Sequence, residues 1–398
     1  GAAKVYGEIL RVWKMSKTAL SPTVHMNNVM SNFVMADWHD VSSGHLLKAL
    51  RIMLAAQESR NPGKRAAQQN DMNHLAAQEI MNRFADSGGD LGAWATAELQ
   101  REQLAPLLEA LEDELHLNGE GDAVKAGVFS ALGHLVQLQF PAAWHAAKGA
   151  LPAKAISGTA KAMLSAYEAE DQVFRLAAWL RAKEEGKSDM DAGKIGRRSF
   201  LDYNINAPWI QAVRKSVFPF ISYSYRAIPM LVEIAAHKPH KILKLAAFAG
   251  LANALGHAFS DGDDEEERKY LPEEKAGLTW LGTPKLIRMP WNDENSSPVF
   301  LDIRRFIPVG DLFDTGQGHS AVPMLPMFNP SGPLGLLGEI IANKSMFTGK
   351  EITSEIDTTL EKWMKVSAYV YQSMMPNAAV IPGSYAYTSI RNASRGAT

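Results

Sequence analysis

The sequence predicts a mainly α-helical protein, an elongated multi-helix assembly with Pro-broken helices and one small β-hairpin near residues 285–303. Three observations predict it. Apolar residues recur three and four positions apart along successive segments, as one buried helix face requires. Prolines at 208, 219, 229 and 239 divide the most apolar and aromatic stretch, residues 200–259, into pieces of ten or eleven residues. A proline lacks the amide donor and disfavours helix just before it, so short, bent helices are expected there. Finally, β-like runs occur at 285–289 and 299–303, around a polar loop.

Composition sets the outer limits. A chain of 398 residues with 46% hydrophobic content can form two or three domains, or one extended assembly with a real core, and is not disordered throughout. Its formal net charge of −2 offers no dense basic face of the kind a wholesale nucleic-acid binder needs. The absence of cysteine removes disulfides, thiolate metal sites and cysteine nucleophiles together. The start, GAAKVYGEIL, has neither an initiator Met nor a signal-peptide pattern, and reads as a fragment or processed product.

Taken in order, residues 4–20 carry Val5, Ile9, Val12 and Trp13 at helical spacing. The run Lys14-Met15-Ser16-Lys17-Thr18 imitates a synthetase nucleotide loop, but without a glycine-rich nucleotide fold beside it a plain loop is expected. Residues 25–33 place Asn and Ser on one side and Met, Val and Phe on the other, an amphipathic helix with a hydrogen-bonding stripe. Helices are expected at 43–61 and up to residue 86, followed by a break at Ser87-Gly88-Gly89-Asp90. Two more are expected at 100–114 and 123–138. The turn between them, 118–122, lacks the alternating acids of a calcium loop.

In 167–180, Val173, Leu176, Ala177 and Leu180 share one face, while Glu168, Glu170, Asp171 and Arg175 form a charged side. Adjacent carboxylates invite an acid/base or di-metal reading. With no Glu-x-x-His element to complete a metal site, a solvated face with one Asp171–Arg175 ion pair is expected. Residues 186–199 read as a polar, basic linker, and 261–267, with six acids in seven positions, as a solvated loop. Residues 315–335 are rich in Gly and Pro, and last helices are expected near 334–342 and 354–374. Three regions follow: 1–140, 141–260 and 261–398.

No motif points to catalysis. The eleven histidines are scattered, and the pair His237/His240 has a proline inside it, which keeps it off one regular helix face. A P-loop, a Gly-x-Ser-x-Gly elbow and a His-Glu-x-x-His element are all absent. The expectation is therefore no enzyme, no cofactor and no metal. What rises above background is the interleaving of aromatic and basic residues: Trp209, Phe218, Phe220, Tyr223 and Tyr225 among Arg214, Lys215 and Arg226, then Lys238, Lys241 and Lys244. A membrane-interface element, a nucleic-acid surface, and a helical core that keeps its cations outside would each give this pattern. The helix that follows, 242–259, is about 27 Å long, near a bilayer's hydrocarbon thickness. However, Lys244, Asn253 and His257 are costly in hydrocarbon, and its Ala/Gly surface favours packing against another helix or subunit.

An ordered series of pieces runs almost the length of the chain: Lys17-Thr18, His25-x-x-Asn28-x-x-x-Asn32, Tyr167-x-x-x-Asp171-x-x-x-Arg175 and Asp202-Tyr203 before Pro208. It continues through Phe218-Pro219-Phe220, Tyr225-Arg226, Pro229, Pro290, Phe300-Leu301-Asp302, residues 307–311, and Asn343-Lys344 to Phe347-Thr348-Gly349-Lys350. This series resembles the large polyvalent-protein-associated domains of internal virion (ejection) proteins of tailed phages. The resemblance implies a helical region packaged in the capsid near the portal and delivered with the genome to help form a channel through the host envelope. It implies a homo-oligomer, with other virion proteins, phage DNA (non-specifically) and the host membrane as partners, and it brings no catalytic residues. A stand-alone membrane-active protein or an injected anti-host factor are the alternatives.

Overall fold

The computed structural model describes residues 2–19, 21–58, 72–91, 93, 160–215, 218–260, 277–292, 298–308, 310, 332–345 and 350–374. These fall in two compact units, Gly1–Ile205 with Met374–Thr398, and Asn206–Ser373. The protein is mainly α-helical, with eleven α-helices and one two-stranded antiparallel sheet among the described residues. The division at Ile205/Asn206 falls inside the region expected at 141–260, and the expected boundary near 140 lies outside the described residues.

The first unit is built on α1 (Ala2–Lys17), α2 (Pro22–Trp38), α3 (Ser43–Glu58), α4 (Met72–Asp86), α5 (Ala160–Glu184) and α6 (Asp189–Ser199). Helix α5, 25 residues and about 37 Å long, is its hub. Val173, Phe174, Arg175, Leu176, Ala177, Ala178 and Trp179 are consecutive and all buried, which requires neighbours on every side. Helices α2, α3 and α6 supply them. Helix α2 runs parallel to α5: His25 meets Tyr167, and two turns on Phe33 meets Phe174 edge-to-face at 5.1 Å. Helix α6 returns antiparallel, from Asp189 beside Lys183 to Gly196 against Arg175. A Cβ at Gly196 would stand 3.0 Å from the Arg175 carbonyl oxygen, so glycine is what lets the two backbones close up.

Residues 186–199 are thus not a linker. Ser188 caps α6 by accepting from the Asp191 amide at 3.1 Å, Asp189 and Asp191 sit at its positive end, and Arg197 and Arg198 at its negative end. The Lys14–Thr18 run is not a loop either: residues 14–17 form the last turn of α1, and the Thr18 hydroxyl donates to the Lys14 carbonyl at 2.7 Å. The break after α4 is as expected, with Gly88 in the left-handed region at φ +68°. The expected helices at 100–114 and 123–138, and the turn between them, lie outside the described residues.

The second unit comprises α7 (Pro208–Arg214), α8 (Ile221–His237), α9 (Pro239–Ala258), β1 (Leu286–Asn292), β2 (Pro298–Asp302), a 3₁₀ turn at Ile303–Arg305, α10 (Gly332–Ile341) and α11 (Thr359–Met374). Pro208 and Pro239 open α7 and α9, where a missing amide costs nothing, and Pro219 precedes α8. Pro229 does not end a helix: α8 runs through it. The ring faces solvent, so the carbonyl it frees, that of exposed Tyr225, can turn to water.

The expected hairpin is present, pairing Leu286 with Asp302, Ile287 with Leu301, Arg288 with Phe300 and Asn292 with Pro298, with a register irregularity between Arg288 and Asn292. It packs on α9, where the Arg288 amide donates to Asn253 Oδ1 at 2.8 Å. A Cβ on Gly256 would overlap the Arg288 carbonyl. Helix α11 starts five residues later than expected, behind a reciprocal cap in which the Thr358 amide donates to Glu361 and the Glu361 amide to the Thr358 hydroxyl. The acidic run 261–267, most of the Gly/Pro-rich stretch and the tail after 374 lie outside the described residues.

Candidate functional site

Residues some 140 positions apart meet in the core of the first unit. His25, on the polar stripe of α2, brings Nδ1 to 2.6 Å from Glu170 Oε1 on α5 and Nε2 to 2.7 Å from the Ala19 carbonyl oxygen. Its ring stands edge-on to Tyr167 at 5.2 Å. A carbonyl can only accept, so Nε2 carries the hydrogen, and a second proton is shared along the Nδ1–Oε1 line. Burial pushes the Glu170 carboxyl above its ordinary range, against the pull of His25. Burial also pulls the His25 imidazole down, but the charge of Glu170 and the hydrogen bonds to Glu170 and Ala19 outweigh it, leaving His25 raised.

One residue on, Asp171 receives the Arg175 Nε–H at 2.7 Å. Arg175 Nη2 donates to the carbonyls of Phe200 at 2.9 Å and Leu201 at 3.0 Å. Those carbonyls lie at the C-cap of α6 and just beyond it, and Leu201 is a buried non-glycine residue in the left-handed region, φ +59°. Such a backbone persists only when its surroundings hold it, and the Arg175 bond to the Leu201 carbonyl is one such restraint. Asp202 then accepts from the Asn204 amide at 2.9 Å and pairs with Arg197 at 3.5 Å.

The expectation of a solvated face on α5 is overturned. Glu170, Asp171 and Arg175 are 2%, 8% and 0% exposed. Periodicity marks which residues are polar, not whether a further layer covers them, and here α2 and α6 cover that side. Glu170 Oε2 and Asn32 Nδ2 are buried without a hydrogen-bond partner among the described residues. No group of three His, Cys, Asp or Glu there could hold a metal ion. The Asp171–Arg175 pair was legible from its spacing of four. The His25–Glu170 contact was missed, since nothing local links positions 145 apart; their place on polar stripes of two helices was the available signal.

At the other end of α5 a second polar group is exposed. Arg83 grips Asp189 with two bonds of 2.9 Å, Lys183 approaches the same carboxylate at 2.7 Å, and both cations lie over the Trp179 ring. The hydrogen bonds from Arg83 and then Lys183 hold Asp189 down at about 2.

In the second unit the expected aromatic and basic residues fall in two places. Trp209 of α7 meets Tyr225 of α8 edge-to-face at 5.8 Å, with the Arg226 guanidinium 5.6 Å from the Tyr225 ring. Arg214, Phe218, Phe220 and Tyr223 are half-buried nearby in sequence, and Lys215 is exposed. Lys238, Lys241 and Lys244 instead occupy the N-terminal turns of α9, with Lys244 exposed.

Helix α9 turns an unusual side outward. Small Ala249 and Gly256 are buried, whereas Leu243, Phe248, Leu251 and Leu255, with Phe259 at the C-cap, are 46–70% exposed. No described helix is long and apolar enough to cross a membrane. No protein-family model, curated protein or solved structure matches the chain.

Proposed function

We propose that this chain is a non-enzymatic structural module of a tailed-phage internal virion (ejection) protein, packaged in the capsid and delivered with the genome. It works as a homo-oligomer beside the portal and other ejection proteins, helping to line a path for DNA across the host envelope. The observation that supports this reading is the meeting of His25, Tyr167, Asp171 and Arg175 in one buried framework. These are residues on which the family resemblance rests, and side chains committed to one another in a core belong to a scaffold. The apolar outer side of α9 adds a surface suited to assembly. Deleting the encoding segment from the phage tests the reading: particles should still fill with DNA and adsorb, yet fail to deliver the genome. Normal delivery would refute it.

A second reading is favoured by the same helix. A Leu/Phe face beside Lys238, Lys241 and Lys244 can lie on an anionic membrane surface without spanning it. Flotation with vesicles containing anionic lipid separates the two, because a chain that never co-floats is not membrane-active.

A further inference from the structure

From the side that α9 leaves uncovered, we propose that α9 pairs with α9 of a second copy of this chain, antiparallel and centred on Leu251. At about 100° per residue, exposed Leu243, Ala254, Ala247, Ala258, Leu251, Lys244, Leu255 and Phe248 form one continuous arc of the helix surface. Within it Leu251 stands between Ala247 and Ala254, a protrusion flanked by hollows, so the face is complementary to itself, as a two-fold contact requires. The four exposed Leu and Phe side chains of this arc, with Phe259 beside it at the C-cap, offer roughly 500 Å² of apolar surface per copy at about 100 Å² each. Two copies therefore remove at most about 1,000 Å², the lower bound for a specific interface.

Charge selects the direction. The N-terminal end of α9 carries Lys238, His240, Lys241 and Lys244. Parallel pairing sets these basic ends together. Antiparallel pairing sets each basic end against the negative end of the partner's helix dipole. Lys244 lies seven residues from the centre, about 10 Å along the axis, and so opposite Ala258 of the partner.

The inference rests on the reading of the chain as an assembling module, and not on its presence in a particle: a dimer formed in solution by a chain with no part in genome delivery would keep the pairing and remove the virion role. The natural absence of cysteine makes the register directly readable. In the full chain, sedimentation should show a dimer that Leu251→Glu converts to monomer with unchanged circular dichroism, since Leu251 faces outward. Under mild oxidation Leu251→Cys should cross-link to itself. Lys244→Cys should not, its two copies being about 20 Å apart, while Lys244→Cys mixed with Ala258→Cys should. A chain that is monomeric at every concentration, a dimer indifferent to Leu251→Glu, or self-cross-linking of Lys244→Cys overturns the proposal. So does a monomer that binds anionic vesicles through this face.

Discussion

Replacing Arg175 by Met asks whether the polar side of α5 is core or surface. Met keeps much of the volume and removes the charge, leaving the Asp171 carboxylate without the guanidinium that pairs with it. Breaking one partner out of a buried pair costs about 3–5 kcal/mol. The Phe200 and Leu201 carbonyls lose the Nη2 donor as well, at about 1 kcal/mol or more each. A total of about 5–7 kcal/mol is comparable with the whole stability of many domains. Urea denaturation followed by circular dichroism should therefore show the first unit unfolded, or its midpoint much lowered. The double variant Asp171→Leu with Arg175→Met should recover part of the loss, because the unpaired charge is gone while the two carbonyls still lack donors. An exposed pair spaced by four contributes about 0.3–0.5 kcal/mol. A cost below about 1 kcal/mol for Arg175→Met would refute the buried framework and restore the solvated face.

Other consequences follow from the same geometry. His25, Glu170 and Asp171 are all raised, so the folded state holds protons that the unfolded state has released. Stability from this core is present at low pH and declines as pH rises above ordinary carboxylate values and on through the imidazole range. Asp189, held at about 2, has the opposite sign and loses its contribution only as pH falls below its ordinary value. Unfolding midpoints should thus be higher near about pH 5 than about pH 9, and His25→Gln with Glu170→Gln should flatten the difference; an unchanged pH profile would contradict the shared proton. Gly256→Val places a side chain where the Arg288 carbonyl stands, so it should separate α9 from the hairpin and lower the melting temperature of the second unit by a cost of about 1–3 kcal/mol or more. Ser188→Ala removes the cap of α6 and should cost about 1 kcal/mol, read as a small shift in the urea midpoint.

The parts of this fold that are local were legible. Helix faces, the hairpin and the break at Ser87–Asp90 all follow from spacing and backbone chemistry within a dozen residues, whereas Pro208 and Pro239, expected to close helices, open α7 and α9. Helix α6 was readable too, through Ser188 followed by acids at 189 and 191 and closed by Arg197 and Arg198, but the basic charge and glycines of that stretch read as a linker. What escaped were the effects of a second layer. Glu170 and Arg175 look like solvent-facing residues until α2 and α6 close over them, and Pro229 looks like a stop until Tyr225 and the ring are seen to face water. The aromatic and basic stretch read as one surface divides in two, a Trp209–Tyr225–Arg226 group and the basic N-terminus of α9. The outward Leu and Phe of α9 were visible only as an apolar helix, because which side it buries depends on a hairpin some thirty residues further on.

Quantitative mass spectrometry of purified particles, full and after triggered genome release, tests the central claim most directly. Peptides of this chain should be present at several copies in full particles, protected from added protease, and lost from emptied ones together with the DNA. Their absence from full particles, or their retention after release, would contradict the account.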